Sequence, residues 1–186
     1  ADAAAAAWSA FEEGYRQYPV NIMFSYYGPM HDGPVWELQL TPKNFPLPRS
    51  WQTIDPVNGD RIGECLLNGH TMEEALTLCH GMWESWREGL SQLPAPSGYY
   101  PQDEQSWVVQ ALEIQFHSGV NILEFYRRRD LLGRGEGDPR ELLEQLRQLV
   151  FAEMENSRAL LRLCLKDNRL GYHSEGEGFK YFPEKL

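Results

Sequence analysis

Gly133-Arg134-Gly135-Glu136-Gly137-Asp138-Pro139-Arg140-Glu141 is the stretch on which the fold turns. Asp138 suits an N-cap, Pro139 the first helical position and Glu141 the third, because a carboxylate accepts the orphan amide protons of a helix start and proline has none to lose. Beyond it Leu143, Leu146, Val150, Met154, Leu161 and Cys164 recur along one face, which predicts a helix over 138–167. The five residues 133–137, three of them glycine, are a connector short enough to return this helix antiparallel on the one before. That preceding segment, 103–132, has Trp107, Ala111, Ile114, Ile122 and Phe125 on one stripe and Val108, Leu112, Phe116, Leu123 and Tyr126 on a neighbouring one. Two adjacent apolar stripes predict a central helix touched by several partners.

Working outward, Thr71 and Glu74 form a capping-box pair ahead of Leu76, Cys79, Met82, Trp83, Trp86 and Leu90, predicting a helix over 71–92. Trp8, Phe11, Tyr15 and Tyr18 predict an opening helix over 2–17, and Ser174 with Glu177 suggests a last helix over 176–186. Between them Pro19, Pro29, Pro34, Pro42, Pro46, Pro48 and Pro56 interrupt helical pattern, so 18–69 reads as an ordered loop. Val20, Ile22, Phe24 and Tyr26 alternate in it, as do Trp36, Leu38 and Leu40, allowing two short strands. The expected fold class is all-α, an antiparallel helical bundle in a single helical domain over 1–186 with a long Pro/Gly-rich ordered loop. Because the chain starts without Met in the middle of a helical pattern, and its aromatic, glycine-rich end reads as a junction, a domain excised from a longer protein is expected.

Composition narrows the function. A formal charge of -10, from 27 acidic against 17 basic residues, opposes a phosphate backbone, so no nucleic-acid partner is expected. The one tight basic cluster, Arg127-Arg128-Arg129, is either an anion site or a solvated complement to a helix end. No stretch approaches the roughly 20 apolar residues of a membrane span. Cys65, Cys79 and Cys164 lack the paired spacing of a zinc knuckle or a disulfide framework, and Cys79 and Cys164 read as small core residues. Glu-x-x-His repeats and His-Glu-x-x-His are absent, so neither a di-iron nor a zinc hydrolase site is implied and no cofactor is expected.

Two loops hold the residue types that bind small polar ligands. Tyr26, Tyr27, His31, Asp32 and Trp36 set aromatic faces, an imidazole and a carboxylate around glycine and proline turns. Such a mixture suits a sugar, whose apolar face stacks on a ring while its hydroxyls bond to Asp and His; the plainer reading is that Tyr26 and Trp36 staple the loop to the helices. Arg169, Tyr172, His173, Glu175 and Glu177 form a second set, although carboxylates two apart at a helix start point to different faces and do not make a hydrolytic pair. The candidate ligand-binding residues are therefore Tyr27, His31, Asp32, Trp36, Tyr172, His173 and Glu175, with no catalytic residue assigned. On the central helix His117, Ser118 and Asn121 share a neighbourhood amid apolar residues, as a satisfied buried network would.

Trp8 to Tyr18-Pro19, Tyr27-Gly28-Pro29 and Gly33-Pro34, and later Asp167 through Arg169-Leu170-Gly171-Tyr172-His173-Ser174-Glu175 to Phe182-Pro183, resemble a helical region towards the C-terminal part of large bacterial proteins of glycoside-hydrolase-like type. Those motifs are not catalytic signatures, so no catalytic role is carried over. The resemblance implies a barrel-type catalytic domain upstream and a sugar-binding domain downstream. The resulting expectation is an accessory helical domain of a carbohydrate-active protein that supports or completes a sugar site without catalysis of its own, its partners being adjacent domains and a carbohydrate. A non-enzymatic protein-protein interaction bundle is the alternative. A third reading, a small enzyme using His31 and Asp32 with Glu175 or Glu177, requires the two loops to meet in space. The compartment stays open.

Overall fold

The computed structural model describes residues 2–19, 28–41, 62, 70–93, 104–173 and 178–186. The fold is all-α. Its long helices are α1 (Asp2–Arg16), α3 (Met72–Gln92), α4 (Glu104–Arg134) and α5 (Pro139–Cys164), and α2 (Pro29–Asp32) is a short turn of helix continued by a 3₁₀ turn, Gly33–Val35. After α5 come a second 3₁₀ turn, Asn168–Gly171, and the two-residue strands β1 (Tyr172–His173) and β2 (Gly178–Phe179).

Local chemistry sets the ends of these elements. Thr71 and Glu74 cap α3 reciprocally: the Glu74 amide donates to Thr71 Oγ1 at 3.2 Å, and the Thr71 amide donates to Glu74 Oε2 at 2.8 Å. That backbone bond to its ionised form holds the Glu74 carboxyl below its ordinary range. Asp138 caps α5 by accepting from the Arg140 and Glu141 amides, both at 2.9 Å. At the end of α4 the Glu136 amide donates to Leu131 O and the Gly135 amide to Leu132 O, the paired bonds of a Schellman motif. Gly135 (φ 70°) and Gly137 (φ 85°) hold left-handed backbone there, which explains glycine at both positions.

Contacts run in opposite directions along each neighbouring pair of long helices. On α1 and α3, Ala7 and Phe11 meet Gly89 and Trp86, while Gly14 meets Met82. On α3 and α4, Trp83 meets His117, and Trp86 bridges Val109 and Phe116. On α4 and α5, Ser118 meets Glu153 and Arg128 meets Gln145. The main core lies between α1, α3 and α4, where Phe11, Trp86 and Phe116 pack ring to ring at centroid distances of 4.5 and 5.0 Å and the Trp86 indole donates to Val109 O. A smaller cluster of Ile114, Leu160, Leu163 and Cys164 lies between α4 and α5, with Trp107, Leu170 and Tyr181 against it. Burial pushes the Cys79 thiol up to about 12, so it is a core residue and not a nucleophile.

Several expectations are corrected. No helix occupies 176–186: Tyr172 pairs with Phe179 and His173 with Gly178, antiparallel, and 180–186 form bends and turns. The aromatic, glycine-flanked run Gly178-Phe179-Lys180-Tyr181-Phe182-Pro183 favours extended backbone, and that preference outweighs the cap-like spacing of Ser174 and Glu177. Residues 36–41 form no strand, and part of the region read as loop is helical; Pro29 and Pro34 start their turns, where a missing N–H is harmless. The expected strand around 20–26 lies outside the described residues. The Arg127–Arg129 triplet is neither a free anion site nor solvated. Arg127 and Arg128 pair with Glu124, and Arg129 is buried over the Tyr126 ring and paired with Asp130. The face expected to bury α5 is also not the one buried: Leu142, Leu146, Glu153, Asn156, Leu160 and Leu163 point inward, and Leu143, Val150 and Met154 are exposed.

Gly89 shows how closely α1 and α3 approach. A Cβ there would sit 2.8 Å from Ala7 O and 2.4 Å from the Phe11 ring. Alanine improves helix propensity by about 1 kcal/mol, yet overpacking a tight contact costs about 1–3 kcal/mol, so Gly89→Ala is expected to lower the unfolding free energy in urea. A variant at least as stable as the parent chain would show that the two helices do not touch there.

Candidate functional site

The two loops singled out by their residue types meet in space. The turn 29–36 is short, and Gly33 at φ 50° lets it lie flat on α4, with its missing Cβ only 2.2 Å from Gln115 Oε1. Gln115 Nε2 donates to Met30 O at 2.7 Å, and Ser157 Oγ of α5 donates to Pro34 O at 3.2 Å. Trp36 closes the turn against α4, its indole donating to Tyr126 Oη at 3.2 Å while Tyr126 Oη donates to Glu37 O at 2.8 Å.

The C-terminal hairpin completes the arrangement. Gly171 O accepts the Lys180 amide at 2.7 Å and lies so near Tyr181 O that a Cβ at Gly171 would be 2.1 Å from it. This contact delivers two side chains to the turn. Lys180 Nζ lies 2.5 Å from Asp32 Oδ1 and 3.0 Å from His31 Nε2, and it also contacts His31 Nδ1. His31 Nδ1 is 2.9 Å from Asp32 Oδ1. Tyr181 Oη donates to Gln115 Oε1 at 2.6 Å and reaches Asp32 O at 3.1 Å. Burial pushes the Asp32 carboxyl up, but the His31 hydrogen bond and the Lys180 charge outweigh it and hold the group below its ordinary range.

Asp32 and Trp36 are only 6% and 5% exposed, so they brace the turn and do not face an open groove; this is the stapling role weighed for Trp36. Tyr172 is exposed on β1, where His173 is its backbone neighbour. Tyr27 and Glu175 lie outside the described residues. Lys180, Tyr181 and Gln115 were not anticipated: a helix over 176–186 hid the first two, and Gln115 is one more polar residue on a long helix. The usable signal for Tyr181 was the alternation of Phe179 and Tyr181 with Lys180 between glycine and proline.

A second polar cluster lies between α4 and α5. Glu153 is buried and accepts from Ser118 Oγ, from Asn121 Nδ2 at 2.9 Å and from Asn156 Nδ2 at 3.3 Å. His117 Nδ1 lies 3.0 Å from Asn156 Oδ1, and its ring stacks on Trp83 at 4.2 Å with planes 3° apart. Burial pushes the Glu153 carboxyl above its ordinary range against these donors. Sequence reading located Ser118, Asn121 and His117 but not Glu153, since a glutamate on an amphipathic helix ordinarily faces water.

Elsewhere a groove of about 500 Å³ opens between α1, α3 and α4, lined by Gln17, Thr77, His80, Glu84, Glu124 and Arg127. Glu124 there is engaged by Arg127 and Arg128. Among the described residues no group of three or more His, Cys, Asp and Glu side chains could hold a metal ion, and no helix is long and apolar enough to cross a membrane.

The two buried carboxylates predict opposite pH effects. Asp32, with its folded pKa lowered from 3.8, adds stability above that value which is lost as pH falls through the lower folded value. Glu153, raised from 4.5, lets stability fall as pH rises from 4.5 through its folded value. Chemical denaturation across acid pH should show the first slope vanish in Asp32→Asn and the second in Glu153→Gln. At neutral pH Asp32→Asn should lose about 1–3 kcal/mol, the cost of leaving a partly buried charged partner unpaired. Unchanged pH profiles in both variants would contradict the described geometry.

No protein-family model matches the sequence, and neither curated proteins nor solved structures yield a match to it.

Proposed function

We propose that the chain is an accessory helical domain of a bacterial carbohydrate-active protein, one that supports a sugar site in concert with adjacent domains and does no catalysis alone. The observation that carries this reading is the joining of the turn 29–36 to the C-terminal hairpin through Lys180, His31 and Asp32. A general acid or base must be free to exchange a proton with substrate, whereas the Asp32 carboxylate is engaged by an ammonium and an imidazole and is covered. Tyr172 stands exposed on the hairpin that this contact fixes, a ring available to stack on the apolar face of a sugar. The resemblance of these same segments to the helical region of glycoside-hydrolase-like proteins supplies the ligand class.

The alternative, a protein-protein interaction bundle, is favoured by a different observation: α5 exposes Leu143, Val150, Phe151 and Met154 on its outer side.

Affinity electrophoresis of the purified chain through gels containing soluble plant or bacterial polysaccharides tests the sugar reading, with a panel of aryl glycosides as the activity control. The expected result is no glycoside hydrolysis, retardation by at least one polysaccharide, and loss of about 1 kcal/mol or more of that binding in Tyr172→Ala, the range expected for removing one stacking ring. Hydrolysis abolished by Asp32→Asn would replace the accessory role with a catalytic one. Migration unaffected by every polysaccharide would remove the sugar.

A further inference from the structure

Leu143, Val150, Met154, Leu161 and Leu165 follow one another at steps of seven, four, seven and four. That is an eleven-residue repeat, 3.67 residues per turn, so the five side chains stay on one line along a nearly straight helix. Four of them are exposed: Leu143 47%, Val150 37%, Met154 42% and Leu165 67%. The line runs beside, not along, the face that packs on α4, because Leu146, Glu153, Asn156, Leu160 and Leu163 already occupy that face. Arg147 and Arg158 fall in the two gaps of the line, and the Arg147 guanidinium lies 5.5 Å over the Phe151 ring at its margin.

From this pattern we infer that the outer face of α5 is a self-association surface, on which a second copy of the chain lays its own α5 antiparallel about a two-fold axis at Met154. Three features single out a second copy. The line is self-complementary on reversal: turned about Met154, Leu143 meets Leu165 of the other copy, and Val150 and Leu161 meet the aliphatic stems of Arg158 and Arg147, which long basic side chains offer while keeping their charge in water. The flank is complementary in charge, because Glu144 near the start of one helix comes beside Arg162 near the end of the other, once on each side of the axis. Residues 138–166 hold Asp138, Glu141, Glu144, Glu153 and Glu155 against Arg140, Arg147, Arg158, Arg162 and Lys166, a net charge of zero in a chain of -10. This helix is thus where two copies approach with least repulsion. The surface is independent of the sugar reading, since Tyr172 and the Lys180 contact lie on other elements.

The contact is one helix pair about 33 Å long at 1.5 Å per residue, in the size range of weak, concentration-dependent association. Sedimentation velocity of the whole purified chain over a range on the order of 1–200 µM brackets the micromolar constants such interfaces give. The weight-average mass is expected to rise from 21.5 kDa towards twice that value. Met154→Glu, which sets two carboxylates against each other on the axis, should raise the dissociation constant by about tenfold or more with an unchanged circular dichroism spectrum. Glu144→Lys should weaken association several-fold, since two symmetric pairs turn repulsive together, and adding Arg162→Glu should restore it. A chain that stays at 21.5 kDa throughout overturns the inference and leaves the face to a different partner, an adjacent domain included. A dimer indifferent to Met154→Glu, or a charge swap that fails to restore association, overturns it as well.

Discussion

A carboxylate buried between two helices cannot be left without donors, and Glu153 imposes that constraint on this fold. Taking an ionised carboxyl out of water is costly unless several hydrogen bonds replace its hydration. Ser118, Asn121 and Asn156 provide them, from the facing helix and from the next turn of its own. Their positions fix both the register of α4 against α5 and the rotation of α5 about its axis. With Glu153 inward, Leu142, Leu146, Leu160 and Leu163 turn inward with it, and the line from Leu143 to Leu165 turns out. The same rotation brings Ser157 to Pro34 O, which ties the turn 29–36 to α5.

A second polar contact does for the loops what Glu153 does for the helices. Lys180 reaches Asp32 and His31 across most of the chain's length, and it arrives there because Gly171 lets the Lys180–Tyr181 backbone cross directly over it. Tyr181 then shares Gln115 with the turn, so the hairpin, the turn and α4 are bonded as one unit. Burial pushes the Tyr181 hydroxyl well above its ordinary range, which suits a neutral donor in this position. Both contacts join elements distant in sequence. Each also occupies the acidic group that would otherwise be the obvious candidate for chemistry.

How much of this was legible in the sequence divides along physical lines. Helix starts depend on a few adjacent residues, so Thr71 with Glu74 and Asp138 with Pro139 could be read directly. The double stripe of 103–132 likewise pointed to a helix with neighbours on more than one side, and Trp83, Phe116, Glu153 and Gln115 mark those contacts. The inward face of α5 was not legible, because the stronger apolar periodicity belongs to the exposed line and hydrophobicity alone favours burying it. What decides against it is the partnership of Glu153 with Ser118 and Asn121, and a helix pattern read in isolation contains no information on a partner 35 residues away. The loop meeting was hidden similarly. Residue type marked His31, Asp32 and Trp36 as noteworthy, but only the three-dimensional path shows that Lys180 is their partner and that Trp36 donates to Tyr126.

The claim at the centre of this account is that Glu153 and its donors on α4 form one interacting unit which sets the face of α5. A double-mutant cycle on Asn121→Ala and Glu153→Ala, followed by chemical denaturation at neutral pH, tests it most directly. Residues sharing a buried hydrogen-bond network couple by about 0.5–3 kcal/mol, and a coupling in that range is the predicted result. Effects that add to within about 0.3–0.5 kcal/mol, as for independent sites, would mean that the two side chains do not meet and that α5 is turned to another face.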